Sequence, residues 1–284
     1  MFNPYQPQPA KITKITPQTD TIKLFRFEFA QKISGYNFSF KPGQFVELSI
    51  PGFGEAPFAP CSVAGEKYLE LCVRDIGKLT HKLHSMKLGE SVGIRGPYGH
   101  GWPVASAQNQ KSKIKNKNDG TKNLLIVVGG LGLIPLRTLI LGKNKFLGKD
   151  AKVQIFYGAR SPDDMLFRYE FARWRDLGVE VRLTVDKECH GWSGCVGLVT
   201  ALFDKYELAQ NTTAFICGPP VMYKSVLEKL REKGIAQDDI HLSLERRMHC
   251  GIGVCQHCAV GPYYTCKDGP VFPYSKIKDI SGAI

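Results

Sequence analysis

The sequence predicts a β-barrel domain, then an α/β domain built on a parallel sheet, then a C-terminal loop carrying four cysteines. Three observations predict it. Short alternating apolar runs fill the first hundred residues, strand-then-helix units repeat after residue 122, and Cys250, Cys255, Cys258 and Cys266 crowd into one glycine-rich stretch. At 284 residues, with 43% apolar and 11% aromatic content, the chain is long enough for two domains, each with its own core.

In residues 1–104, "TIKLFRFEF" alternates, with a phase shift between Leu24 and Phe25 that predicts a bulge in that strand. "QFVELSI" and "YLELCVR" alternate too, turns such as "KPGQ" separate the runs, and one helix-like piece surrounds "GKLTHKLHSMK". Many short strands with a single helix suit a small barrel. Residues 105–122 contain "KSKIKNKNDGTK", five lysines with one acid, which reads as a solvated insertion or linker. The formal charge of +12 raises nucleic-acid binding as an alternative, yet much of that charge sits in this run, and no nucleic-acid partner is expected.

Residues 123–240 alternate strand and helix: "NLLIVV" before "LIPLRTLIL", "KVQIFYG" before "SPDDMLFRYEFARWRDLG", then "VEVRLTV" before "GLVTALFDKY", and "TAFICG" before "PPVMYKSVLEKLREKG". Such alternation predicts a parallel sheet with helices on its faces. In the last helix Pro219 and Pro220 suit the first turn, and Met222, Val226 and Leu230 line one face. The most apolar run carries Gly129, Gly130, Gly132, Pro135 and Arg137, which suits strand, turn and helix rather than a membrane span. The N-terminus shows no secretory pattern, so a cytoplasmic location is expected. Thiols stay reduced there, and the nine cysteines read as metal ligands, active thiols or core residues before disulfides; a Cys189–Cys195 pair is the minor alternative.

Residues 241–284 hold the cysteine loop. Cys250, Cys255 and Cys258 follow the C-x4-C-x2-C rhythm of plant-type 2Fe–2S loops, with Cys266 returning early as a fourth ligand. Zinc is the competing ion, but structural zinc sites usually set two short-spaced pairs apart, and only Cys255 and Cys258 form one. Gly251 and Gly253 favour a loop whose amides line a cluster. His257, between two ligands, is expected to face solvent, because a Rieske centre needs two histidines on one iron.

Gly130 and Gly132 stand where a strand turns into a helix, a place where backbone N–H groups approach a pyrophosphate. Pro135 replaces the third glycine of the usual fingerprint, and no acidic residue follows at the ribose distance. "CGPPVM" supplies a second such turn at Cys217, Gly218 and Pro219, with Cys217 read as a packed thiol rather than a nucleophile.

The order of barrel, "GPYG" (Gly96, Pro97, Tyr98, Gly99), "GGLGLIP", "CGPP" and a four-cysteine loop followed by "KDGPVF" resembles the ferredoxin-NADP reductase-like superfamily. More closely it resembles the iron–sulfur flavoprotein subunits of cytosolic nickel–iron hydrogenases (sulfhydrogenase gamma type), anaerobic sulfite reductase and dihydroorotate dehydrogenase. "SLERRM" before Cys250 favours the first two. The resemblance implies FAD in residues 1–104, with Pro60, Cys61 and Ser62 along the flavin and Arg74, Gly77 and Thr80 at its phosphates. Ala59 and Cys61 stand where relatives often carry an arginine and an aromatic residue. It implies NAD(P)H as substrate of 123–240, with the Gly130 turn at the pyrophosphate and Cys217–Pro219 near the nicotinamide. Arg160 then suits a 2′-phosphate, whereas Asp186 stands where NADPH enzymes often place a basic residue. It implies partners too: catalytic and iron–sulfur subunits of a hydrogenase-like or sulfite reductase-like complex. A stand-alone NAD(P)H oxidoreductase is the alternative. No acid–base catalytic residue is required, because the cofactors carry the electrons.

Overall fold

A computed structural model describes residues 3–29, 38–104, 123–147 and 150–284; the expected insertion at 105–122 lies outside them. The chain divides into two compact units, Met1–Gly101 with Glu245–Pro270, and Trp102–Leu244 with Val271–Ile284.

The first unit carries β1 (Gln8–Thr19), β2 (Ile22–Phe29), β3 (Phe45–Ile50), β4 (Gly54–Phe58), β5 (Leu69–Arg74) and β6 (Ser91–Tyr98), with helix α1 (Lys78–Ser85) between the last two. All pairs are antiparallel, in the order β4-β3-β6-β1-β2-β5. A bridge from Pro60 to Leu71 links the chain leaving β4 to the opposite edge strand β5. The bulge expected at Leu24 and Phe25 lies instead in the partner strand: the register slips in β1 between Ile12 and Lys14 and between Pro17 and Thr19. Leu24 and Phe25 are simply both buried, the Phe25 ring meeting His84 of α1 at 5.4 Å. A strand covered on both faces accommodates consecutive apolar residues without any bulge.

The second unit is a sheet of β7 (Asn123–Gly129), β8 (Val153–Ala159), β9 (Val179–Val185), β10 (Cys195–Val196), β11 (Thr212–Cys217) and β12 (Ile240–Ser243), in the order β10-β9-β8-β7-β11-β12 and parallel throughout. Leu124 to Val128 are buried without alternation, as a central parallel strand with both faces covered requires. Its helices are α2 (Ile134–Leu141), α3 (Lys143–Phe146), α4 (Phe171–Asp176), α5 (Ala201–Lys205) and α6 (Pro220–Glu232). The long helix expected over "SPDDMLFRYEFARWRDLG" is only α4 with two short turns before it. Pro162 opens the first turn, and Phe167 at φ 54° reverses the chain before α4 begins. Helix α6 buries Met222, Val226 and Leu230 on one face.

The C-terminal stretch, read from sequence as one segment, is shared between the units. Residues 245–270 carry the hairpin β13 (Ala259–Val260) and β14 (Tyr263–Tyr264) within the first unit. Beyond them β15 (Val271–Pro273) adds to the second unit's sheet as an antiparallel edge beside β12, followed by α7 (Tyr274–Ile277).

Candidate functional site

The four cysteines of the C-terminal loop are linked by backbone hydrogen bonds. The Cys250 sulfur accepts from the N–H groups of Ile252, Val254 and Cys255 at 3.5, 3.3 and 3.4 Å. The Cys266 sulfur accepts from Gly253 N–H at 3.1 Å, and the Cys258 sulfur from Cys266 N–H at 3.4 Å. This curl demands φ of +75° at Gly251 and +80° at Gly253, a region that glycine enters freely. Backbone N–H groups thus tie Cys255 to the Cys250 sulfur and Cys266 to the Cys258 sulfur. Cys258 and Cys266 are buried with Phe45 and Tyr98, and Met248, Ile252 and Tyr264 pack around them. Among the described residues no three His, Cys, Asp or Glu side chains converge on one point as a single metal ion needs. Among the described residues no disulfide forms, and Cys189 and Cys195 are not joined.

The surroundings split the thiols' acidities. Burial works against ionisation of Cys250, but the three amides aimed at its sulfur hold its pKa below the ordinary value. Cys255 is lowered by the amides of His257 and Cys250. Burial, helped by the neighbouring Cys258 thiol, pushes Cys266 up to about 12. A bound metal ion removes that proton outright. His257 is exposed, its Nδ1 3.1 Å from the Cys255 carbonyl oxygen.

Three charged residues that the sequence reading passed over flank this loop. Arg95 of β6 is 5% exposed and forks onto the Glu55 carboxylate of β4, donating from Nε at 2.8 Å and from Nη2. The same guanidinium donates to the carbonyls of Cys250 at 2.8 Å and His249 at 3.3 Å. Glu47 of β3 lies opposite Arg95 in the sheet and is 1% exposed, its Oε1 without a partner among the described residues. A charged residue inside an apolar strand run, Glu47 in "QFVELSI" and Arg95 in "SVGIRGPY", was the signal that marked them.

"GPYG" is where the sheet of the first unit meets the cysteine segment. The Tyr98 ring packs against Phe45 at 5.7 Å, and its hydroxyl donates to the Pro4 carbonyl. A Cβ at Gly99 would stand 2.5 Å from the Gly269 carbonyl oxygen, so only glycine allows this approach. The "APCS" stretch is stitched to β5: Cys61 donates from N to the Glu70 carbonyl at 2.9 Å, and Ser62 Oγ accepts from Glu70 N at 3.2 Å. Thr80 Oγ1 accepts from Ile76 N and Gly77 N and donates to the Gly77 carbonyl, so its hydroxyl caps the start of α1. Arg74 ends β5, partly exposed.

In the second unit the two glycine turns interlock at the carboxyl ends of the adjacent parallel strands β7 and β11. A Cβ at Gly132 would fall 2.0 Å from the Cys217 carbonyl oxygen, and Cβ atoms at Gly129 and Gly218 would each meet Met222 Sδ at 3.0 Å. At Gly130 nothing lies within 4 Å of that position. The Pro135 carbonyl accepts from Trp102 Nε1 at 3.3 Å. Arg160 and Asp186 follow the neighbouring strands β8 and β9, both exposed, with Asp186 N–H donating to the Ala159 carbonyl at 3.1 Å. Cys217 is buried at the end of β11. Open parallel sheets bind ligands at such carboxyl ends.

Family comparisons agree in order with these parts. An oxidoreductase FAD-binding domain matches residues 9–102, an oxidoreductase NAD-binding domain 126–228, and the iron–sulfur cluster binding domain of dihydroorotate dehydrogenase B 245–278. Together they define an oxidoreductase, an electron-transfer iron–sulfur flavoprotein. The chain is 40% identical to the sulfhydrogenase 2 gamma subunit of Pyrococcus furiosus, over 89% of its own length and 88% of the relative's. It is 34% identical to a probable dihydroorotate dehydrogenase B electron transfer subunit of Methanocella arvoryzae, over 88% and 83%. It belongs to this family of sulfhydrogenase gamma and dihydroorotate dehydrogenase electron-transfer subunits. Among solved structures, a chain of NADH-dependent reduced ferredoxin-NADP oxidoreductase shares the fold at TM-score 0.71 and 24% identity, covering 95% of this chain and 91% of that one. No helix of the described residues is long and apolar enough to cross a membrane.

Proposed function

We propose that the chain carries electrons between NAD(P)H, FAD and a 2Fe–2S cluster, and to or from the catalytic subunit of a partner complex, a cytoplasmic nickel–iron hydrogenase. The observation that carries this reading is the cysteine loop: five backbone N–H groups directed at three of the sulfurs, two of them tying Cys255 to Cys250 and Cys266 to Cys258. Two irons each taking two cysteines match two pairs better than one tetrahedral ion does, and amide hydrogen bonds offset the sulfurs' negative charge. Cys250, Cys255, Cys258 and Cys266 are the proposed ligands.

A nicotinamide exchanges two electrons as hydride, a 2Fe–2S centre takes one, and a flavin handles either. The chain's own residues bind, orient and insulate. The open space at Gly130 and the amides at the start of the following helix suit a pyrophosphate, with Cys217, Gly218 and Pro219 closing the same crevice. The six antiparallel strands, bridged edge to edge at Pro60 and Leu71, support a barrel for the flavin. Arg74 is its phosphate cation, with the Gly77 turn beside it. Ser62 and Thr80, whose hydroxyls already serve main-chain groups, contribute through the backbone they fix.

Anaerobic purification tests the reading: bound FAD with two iron and two acid-labile sulfide for each flavin supports it. Zinc in place of iron, in a colourless protein, overturns it. Native co-purification identifies the partner. The higher identity to the sulfhydrogenase subunit favours a nickel-containing one, and a dihydroorotate dehydrogenase partner is the second reading.

A further inference from the structure

We propose, resting on the iron–sulfur reading above, that Arg95 is a positioning residue of the cluster: fixed by Glu55, it clamps the main chain of the first ligand and sets a permanent positive charge beside it. Arg95 and Cys250 are 155 residues apart in sequence. Their junction is built with unusual completeness for an interior site. The guanidinium spends Nε and Nη2 on Glu55, Nη1 on the Cys250 carbonyl and the Tyr98 hydroxyl (3.3 Å), and a second Nη2 bond on the His249 carbonyl. A planar fork with donors in fixed directions can serve a carboxylate on one side and two carbonyls on the other, which a lysine ammonium cannot do at once.

Gly251 shows how tightly the loop is seated. A Cβ there would approach Glu47 Oε1 at 3.2 Å and Arg95 Nη1 at 3.4 Å, in a backbone conformation of φ +75° that already disfavours side chains. The loop therefore lies against the Glu47 and Arg95 side chains of the sheet. The clamp fixes the residue on which the amides of Ile252, Val254 and Cys255 converge, so a shift at the Cys250 carbonyl carries to the sulfur those amides address. Charge acts in the same place. Reduction adds one negative charge to a cluster held by four thiolates, and a cation buried nearby favours the reduced form. Glu55, partly exposed, pairs with Arg95.

The test uses the intact flavoprotein, purified anaerobically, as wild type, Arg95→Gln, Arg95→Lys and Glu55→Gln. Three quantities are read: the cluster's midpoint potential, its EPR line shape, and hydrogen exchange of the amides of 249–255. Arg95→Gln is expected to lower the potential, broaden the spectrum and speed exchange by about tenfold or more, since charge-assisted hydrogen bonds are lost. Arg95→Lys is expected to restore most of the potential but not the line shape, which separates charge from clamping. Glu55→Gln, which keeps the guanidinium but frees it, is expected to speed exchange and alter the line shape. Wild-type potential, spectrum and exchange in Arg95→Gln would overturn the proposal; should that variant fail to fold, unchanged spectrum and exchange in Glu55→Gln would do so. A wild-type protein lacking iron and sulfide sinks the underlying iron–sulfur reading instead, while the exchange measurement still reports on the clamp.

Discussion

Glu47 makes the stability of the first unit depend on pH, and replacement by glutamine isolates the effect. The carboxyl is buried in β3, and that burial raises its pKa from the ordinary 4.5 to about 8. Arg95 on β6 opposes the shift, while Glu55 on β4 and Cys250 in the loop add to it. The folded chain therefore holds a proton that the unfolded chain releases. The associated stability is fully present below pH 4.5 and is lost as pH rises through about 8. At about 1.4 kcal/mol for each pH unit, the whole loss is about 5 kcal/mol, of which about 3 kcal/mol has gone by pH 7. Glutamine does not titrate, so Glu47→Gln carries a constant offset in place of this slope. Urea unfolding of both proteins under anaerobic conditions, from about pH 5 to about pH 9, should show the variant gaining on the wild type steadily up to about pH 8 and not beyond. Two curves that stay parallel across that range would refute the assignment of a buried, protonated carboxyl.

The remaining expectations concern the other sites. Gly132→Ala drives a Cβ into the Cys217 backbone and should destabilise the second unit by about 1–3 kcal/mol or more, read by thermal unfolding. Gly130→Ala meets no neighbour but sits at φ +52°, so it should cost only about 1–2 kcal/mol while raising the KM for the nicotinamide about tenfold. Cys258→Ser or Cys266→Ser should abolish iron and sulfide content, whereas Cys189→Ser and Cys195→Ser should leave both at wild-type levels by metal analysis. Asp186→Ser removes a carboxylate that would repel a 2′-phosphate near Arg160 and should raise kcat/KM for NADPH relative to NADH. An unchanged ratio would show that Asp186 does not face the ribose.

Much of the second unit was legible because its signals are local. Strand β7 and helix α6 announce themselves by apolar runs, prolines and a terminal glycine within a few residues of each other. The segment before α4 was misjudged because Phe167 adopts a left-handed conformation that its type does not advertise. The phase shift in β2 was misread for a related reason: alternation reports one covered face, and whether the second is covered depends on α1, which is far away in sequence.

The sequence by itself determined the chemistry on offer: four cysteines at ligand spacing with two glycines between the first pair, and two glycine turns after hydrophobic strands. These are properties of short windows, set by covalent spacing and by which residues tolerate positive φ. Only the tertiary structure decided that Glu47, Glu55 and Arg95 meet beneath Cys250, that "GPYG" closes against Gly269, and that the last residues part company at 270 to complete a different sheet. Those outcomes follow from packing between stretches tens to hundreds of residues apart, where a buried charge finds its partner through the fold and leaves no periodic trace along the chain.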